Sequence, residues 1–243
     1  MTKVVEARQL CKAFRGKRAV DGVDLVVRAG ERVALLGGNG AGKTTTLLML
    51  LGAVSPDSGT VSLLGHPLPA ERSECLRDVG FAAGYLPMPY RLRVNEILRI
   101  FGDIYGLTDP AAAAEEGLER FGISHLATQM AKELSSGQRT LVGIVKAILH
   151  RPPLLVLDEP TASLDPDVAA RARRGLEQLC AEDGSALLVT SHNMTDVERM
   201  CERVVFLSKG RIVADGSPPE VAAKFGLSDL EQVFLHLAAE DWD

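Results

Sequence analysis

No feature constrains this chain more than the run Gly37-Gly38-Asn39-Gly40-Ala41-Gly42-Lys43-Thr44. An apolar, β-rich run at 32–36 leads into it, and a helical run at 45–51 leaves it. The spacing G-x-x-x-x-G-K-[ST] between a strand and a helix is the pattern of a phosphate-cradling turn. Glycines let the backbone curl until successive N–H groups converge, and the helix N-terminus adds its dipole at the same point. Lys43 is placed to reach the β- and γ-phosphates of a nucleotide, and the Thr44 hydroxyl to ligate Mg²⁺. Gly37, Gly38, Asn39, Gly40, Ala41, Gly42 and Thr45 complete the candidate site. The bland alternative is a glycine-rich turn that binds nothing. The flanking strand and helix count against it.

A second run carries charge where an apolar strand stops. Residues 154–157 are Leu-Leu-Val-Leu, and Asp158-Glu159 follows at once. Carboxylates at the C-terminal end of a buried strand suit a ligand site at the edge of an open α/β sheet. Asp158 is placed to hold Mg²⁺ through water. Glu159, one residue on, is the natural general base to polarise an attacking water. An isolated Asp-Glu pair is more often two solvated acids, but the phosphate loop in the same chain favours the site.

Short β-rich runs at 32–36, 61–64, 79–82, 154–157, 186–190 and 204–208 alternate with helical patterns. This predicts an α/β fold with a mainly parallel sheet. The last run turns at Lys209-Gly210 into 211–214 as a hairpin. Between the third and fourth runs, Val94, Ile97, Leu98, Phe101 and Ile104 repeat at helical spacing. The Ala-rich residues 111–121, and then Leu141, Ile144, Val145 and Ile148, do the same. Residues 86–150 therefore read as a helical lobe inserted into a core of 1–85 and 151–220. A short helical tail at 221–243 follows, all within one domain. Pro152-Pro153 ends the last lobe helix. Ser217-Pro218-Pro219-Glu220 and Thr195-Asp196-Val197-Glu198 both have the form of a capping box.

Composition narrows the partners. A net charge of −5 gives no general affinity for nucleic acid or anionic lipid, so nucleic acid is not an expected partner. The N-terminus lacks an apolar signal-peptide core, and the stretch at 47–51 is too short to cross a bilayer. Four scattered cysteines without a CxxC pair read as reduced thiols of a cytoplasmic protein.

With the loop and the acidic pair in place, the chain resembles the nucleotide-binding subunits of the ABC transporter family over nearly its whole length. Leu134-Ser135-Ser136-Gly137-Gln138 is close to the family signature L-S-G-G-Q, and Ser163-Leu164-Asp165 matches its D-loop. Ser191-His192 after a strand matches its switch histidine, and Phe14 sits where the family stacks an aromatic on adenine. The resemblance implies a P-loop NTPase core with an N-terminal β-rich part, ATP as substrate and Mg²⁺ as metal. It implies catalytic roles for Glu159 and His192, and a D-loop role for Asp165. Ser135, Ser136, Gly137 and Gln138 would then meet the ATP bound by a partner subunit, because a helix N-terminus suits a phosphate. That arrangement requires a head-to-tail homo- or heterodimer, held at the cytoplasmic face of a membrane through a separate permease. The tail Leu230-Glu231-Gln232-Val233-Phe234-Leu235 is similar to the ending of bacterial ABC-2-type exporters, although an ordinary packing helix explains it nearly as well.

One departure stands out. The family carries a Gln where the core passes into the helical lobe, and here Gly84 or Tyr85 occupies that place. Water is expected to fill the coordination position, with slower or differently coupled hydrolysis. Two other functions compete. A stand-alone assembly or maintenance ATPase of the same family stays open, although long coiled coils and a second cassette are absent from the sequence. An unrelated P-loop kinase or GTPase would leave the signature segment unexplained, and no Asn-Lys-x-Asp motif is present.

Overall fold

The computed structural model describes residues 2–84, 86–162 and 164–240, the side chain of Glu240 excepted. Along the chain run β1 (Lys3–Phe14), β2 (Lys17–Arg28), β3 (Arg32–Leu36), α1 (Lys43–Leu50), β4 (Ser58–Leu63), β5 (His66–Leu68) and α2 (Arg72–Cys75). Next come β6 (Val79–Ala83), α3 (Val94–Ile104), α4 (Pro110–Arg120), α5 (Ser136–Ile148), β7 (Leu154–Asp158) and α6 (Pro166–Asp183). The chain closes with β8 (Ala186–Thr190), α7 (Met194–Met200), β9 (Arg203–Ser208), β10 (Arg211–Gly216), α8 (Pro218–Lys224) and α9 (Leu230–Glu240). These elements fall into two units, one of Met1–Leu76 with Ala186–Asp243 and one of Arg77–Ser185.

The first unit holds an antiparallel sheet in the order β2-β1-β4-β5, and β3 paired in parallel with both β8 and β9. Strand β8 is buried throughout, as is β3 beyond Arg32, which is why both read as unbroken apolar runs rather than alternating ones. β9 and β10 form the expected antiparallel hairpin through Lys209-Gly210. Strands β1 and β2 were not among the candidate runs. Their pairing shifts register between Ala7 and Leu10 and again before Cys11, and Gln9 has φ 49. Each bulge breaks the period of two that marks a strand in sequence.

Helix starts follow local chemistry. Ser217 N–H donates to Glu220 Oε2 at 2.8 Å, the reciprocal bond expected of that box, with Pro218 inside the first turn of α8. α7 differs from expectation. It begins at Met194, and Asn193 Oδ1 accepts the Asp196 N–H at 3.1 Å. Asn caps at least as well as Thr, so the earlier residue takes the role. At the N-terminal end of β9, Arg203 binds Asp215 through Nε and Nη2, both at 2.6 Å, and Glu31 through Nη1 at 3.0 Å.

The second unit contains the parallel pair β6–β7 and helices α3 to α6. Its apolar interior includes Val94, Ile97, Leu98, Phe121, Ile144 and Val145, each contributing about 1.5–3 kcal/mol by leaving water. Ile104 departs from the helical stripe read in sequence and is 68% exposed, because Gly102 rather than Phe101 or Ile104 turns toward α4. Phe101 instead lies under Lys146, whose Nζ is 4.8 Å from the ring centroid.

His150, which carried no function in sequence, stacks on Tyr105 with ring centroids 3.8 Å apart. Among the described residues neither of its ring nitrogens has a hydrogen-bond partner, and burial pushes its pKa down to about 4 against a weaker upward pull from Asp78. An unfolded histidine binds its proton near pH 6.5, so between about 6.5 and 4 the unfolded chain holds more protons than the folded one. The stabilising contribution is therefore complete above about pH 6.5 and is lost as pH falls toward 4. Allowing for solvent screening of this partly exposed ring, the loss should be on the order of 1–2 kcal/mol. Denaturant midpoints across pH 7 to 4 should fall less in His150→Phe, which keeps the stack and removes the titration. Equal slopes would assign the acid sensitivity elsewhere.

Candidate nucleotide site

The loop between β3 and α1 is built by close approach. A Cβ on Gly37, at φ 146, would stand 2.2 Å from the Leu207 carbonyl oxygen of β9. One on Gly42, at φ 105, would stand 2.5 Å from the Ala19 carbonyl oxygen of β2. Neither place admits a side chain, so the two glycines are required by the neighbouring strands as well as by the turn. The loop is tied by Ala41 N–H to Gly38 O at 3.2 Å and by Gly210 N–H to Ala41 O at 3.0 Å.

Lys43 opens α1 and is buried, yet its ammonium is not stranded. Nζ donates to Gly37 O at 2.7 Å and to Gly38 O at 3.1 Å. The cation is thus folded into the mouth of the loop beside the N-terminus of α1, whose first turn contains no acidic residue. That donor set fits a polyphosphate: a buried ammonium, a helix N-terminus and a glycine cradle. Thr44 is exposed in the same first turn, and Thr45 is half-buried. Asn39 and Gly40 are exposed, and Gly38 is half-buried.

Phe14, the last residue of β1, is 47% exposed, with Lys12 Nζ 5.6 Å from its ring centroid. An aromatic face left open at a strand end is available for stacking. His192 follows β8 and Ser191, is exposed, and lies edge-on to Phe234 of α9 with centroids 6.0 Å apart. Nothing in the spacing of residues pointed to this contact.

In the second unit, every residue of β7 is buried through Asp158. Glu159 follows with φ 53, a left-handed conformation that costs a non-glycine residue about 1–2 kcal/mol. A buried carboxylate at the end of a strand is a fit place for a divalent cation. Ser135 is the N-cap of α5: its Oγ accepts the Gln138 N–H at 3.2 Å, and its own N–H donates to Gln138 Oε1 at 2.9 Å. Gln138 therefore serves the cap of its own helix, and Ser136 and Gly137 form the first turn. Ser135, Ser136, Gly137, Gln138 and Asp165 line one cavity of this unit, so the signature segment and the D-loop acid are neighbours. Asp165 is the N-cap of α6, followed by Pro166 at its first turn. Ser163 and Tyr85, singled out in the sequence, lie outside the described residues. A Cβ on Gly84 would meet nothing nearer than Thr140 Oγ1 at 3.9 Å, so one of the two candidate places for the family's Gln is open to a side chain.

A P-loop nucleotide-binding core with an N-terminal antiparallel sheet, parallel strands and an inserted helical part is the class that this fold and loop define. Its relatives are narrower in kind. The ABC transporter family model matches residues 20–162. The chain is 38% identical to the Nod factor export ATP-binding protein I of Burkholderia lata, over 88% of this chain and 71% of that protein. It is 32% identical to the linearmycin resistance ATP-binding protein LnrL of Bacillus subtilis, over 92% of this chain and 72% of that protein. A solved structure of the ATP binding subunit of an ABC transporter superposes with a TM-score of 0.87 at 29% identity, covering 97% of this chain and 99% of its own. The chain belongs to the ABC transporter family, as one of its nucleotide-binding ATPase subunits. Among the described residues no helix is long and apolar enough to cross a membrane.

Proposed function

We propose that this chain hydrolyses ATP for an ABC exporter, with two ATPase subunits closing head to tail over two nucleotides and driving a separate permease. The observation that carries the reading is the loop at Gly37–Thr44, where Lys43 is already turned onto the backbone at the N-terminus of α1. In this reading Phe14 stacks on adenine, and Lys43 and the loop amides hold the phosphates. Thr44 and Asp158 would hold Mg²⁺, which when bound offsets phosphate charge. Glu159 takes the proton of the attacking water, and His192 stabilises charge developing on the γ-phosphate. Ser135, Ser136 and Gly137 present the N-terminus of α5 to the nucleotide of the facing subunit, and Asp165 beside them supports the same interface. The residues form one ABC domain, with 86–150 as its helical lobe between 1–85 and 151–220.

Export is favoured by the names of the relatives and by the similarity of the tail to ABC-2-type exporter ATPases. A permease contact is supported by a cavity of the second unit lined by Gly84, Pro87, Met88, Tyr90 and Phe101, beside the exposed Leu86 and Tyr90. A peripheral position on the cytoplasmic face follows from that attachment. The test is isolation from detergent-solubilised membranes of the producing cell. A polytopic membrane protein should accompany the tagged chain in near-stoichiometric amount and raise its ATP turnover. Turnover that is full without any membrane component, and no such companion, would favour the stand-alone ATPase.

A further inference from the structure

We infer that Phe234 is a positioning residue for His192, so that the C-terminal helix α9 helps set the rate of ATP hydrolysis; the inference rests on the role proposed above for His192. The ring of Phe234 meets the imidazole at 77° with centroids 6.0 Å apart. This edge-to-face arrangement is a preferred one for aromatic pairs and restrains rotation of the smaller, more exposed ring. α9 is itself firmly placed. Leu230, Val233 and Leu237 are buried at the i, i+3 and i+7 positions of one face, while Leu235 is 60% exposed.

The N-terminus of α9 is also tied to the helix that follows the histidine. Leu230 N–H donates to Glu198 Oε1 of α7 at 3.2 Å. Asn193, next to His192, caps α7 and donates its own N–H to Ser191 Oγ at 3.0 Å. The histidine backbone is therefore held by the start of α7, and its side chain meets a ring carried on α9. Within the segment 230–235, Leu230 and Val233 anchor the helix, whereas Phe234, only half-buried, sets its ring against His192.

Steady-state ATP turnover of the full chain tests this with four variants. Phe234→Leu keeps apolar bulk and loses the ring, and should lower kcat about two- to tenfold, the range an aromatic pair can supply, with little change in KM for ATP. Phe234→Tyr keeps the ring and should stay near the parent. His192→Ala should lose about 10²-fold or more, as expected for removing a group that stabilises transition-state charge. In that background Phe234→Leu should cost nothing further. If Phe234→Leu turned over at the parent rate, or its loss multiplied fully onto that of His192→Ala, the inference would be overturned while the role of His192 stood. Parent turnover in His192→Ala would overturn both. Should Phe234→Leu fail to fold, Phe234→Met serves with an NMR readout. The His192 imidazole C–H resonances must move when the ring is removed, and unchanged resonances overturn the contact.

Discussion

Replacing Glu159 by Gln should reduce ATP turnover about 10²- to 10⁴-fold, the usual worth of a positioned general base, while ATP is still bound. The amide matches the carboxylate in size but cannot take the proton of water. The side chain issues from a strand end that is buried throughout, at a residue held in the left-handed region. Such conformations persist where the surrounding structure over-determines them, and the variant should fold as the parent does. With hydrolysis blocked, the closed pair has no exit, so a dimer should accumulate on adding ATP and be absent without it. Sedimentation velocity with and without ATP, beside a phosphate-release assay, checks both halves. Undiminished turnover in a monomeric Glu159→Gln protein would remove this residue from the role and leave the head-to-tail arrangement without support.

Lys43→Ala should weaken ATP binding about 10²- to 10³-fold, or roughly 3–4 kcal/mol, as expected when one partner of a buried charged pair is removed. Two losses combine. The ammonium no longer meets the phosphates, and the Gly37 and Gly38 carbonyls it engages at 2.7 and 3.1 Å lose their donor. Lys43→Arg should rescue little, because a planar guanidinium does not fit where a compact ammonium is buried against two carbonyl oxygens. Calorimetric titration with ATP gives the affinity directly. Parent affinity in Lys43→Ala would mean that the loop does not hold the triphosphate through this side chain.

What was legible in the sequence was local. The strand–loop–helix around Gly37–Thr44, the acids closing β7 and the Ser217–Glu220 box each depend on residues a few positions apart. Their spacing alone determines which hydrogen bonds can form. Where a pattern was read from spacing alone, it could miss. The Thr195–Glu198 pattern suited a helix start, but α7 begins at Met194 with Asn193 as its cap. Strands β1 and β2 escaped because their bulges disturb the alternation by which a half-buried strand is recognised. The stripe through Ile104 went astray for a related reason: periodicity gives a helix and a face, but the neighbour fixes how much of that face is covered.

The sequence by itself determined that this chain makes a strand–glycine loop–helix turn and ends a buried strand in two carboxylates. Bonds between near neighbours in the chain have few alternatives. Only the tertiary structure decided that Phe234 would touch His192, that His150 would lie against Tyr105, and that Arg203 would join Glu31 to Asp215. Those pairs are distant in sequence, and nothing in either residue's own neighbourhood names the other. Their meeting is set by how buried helices and strands pack.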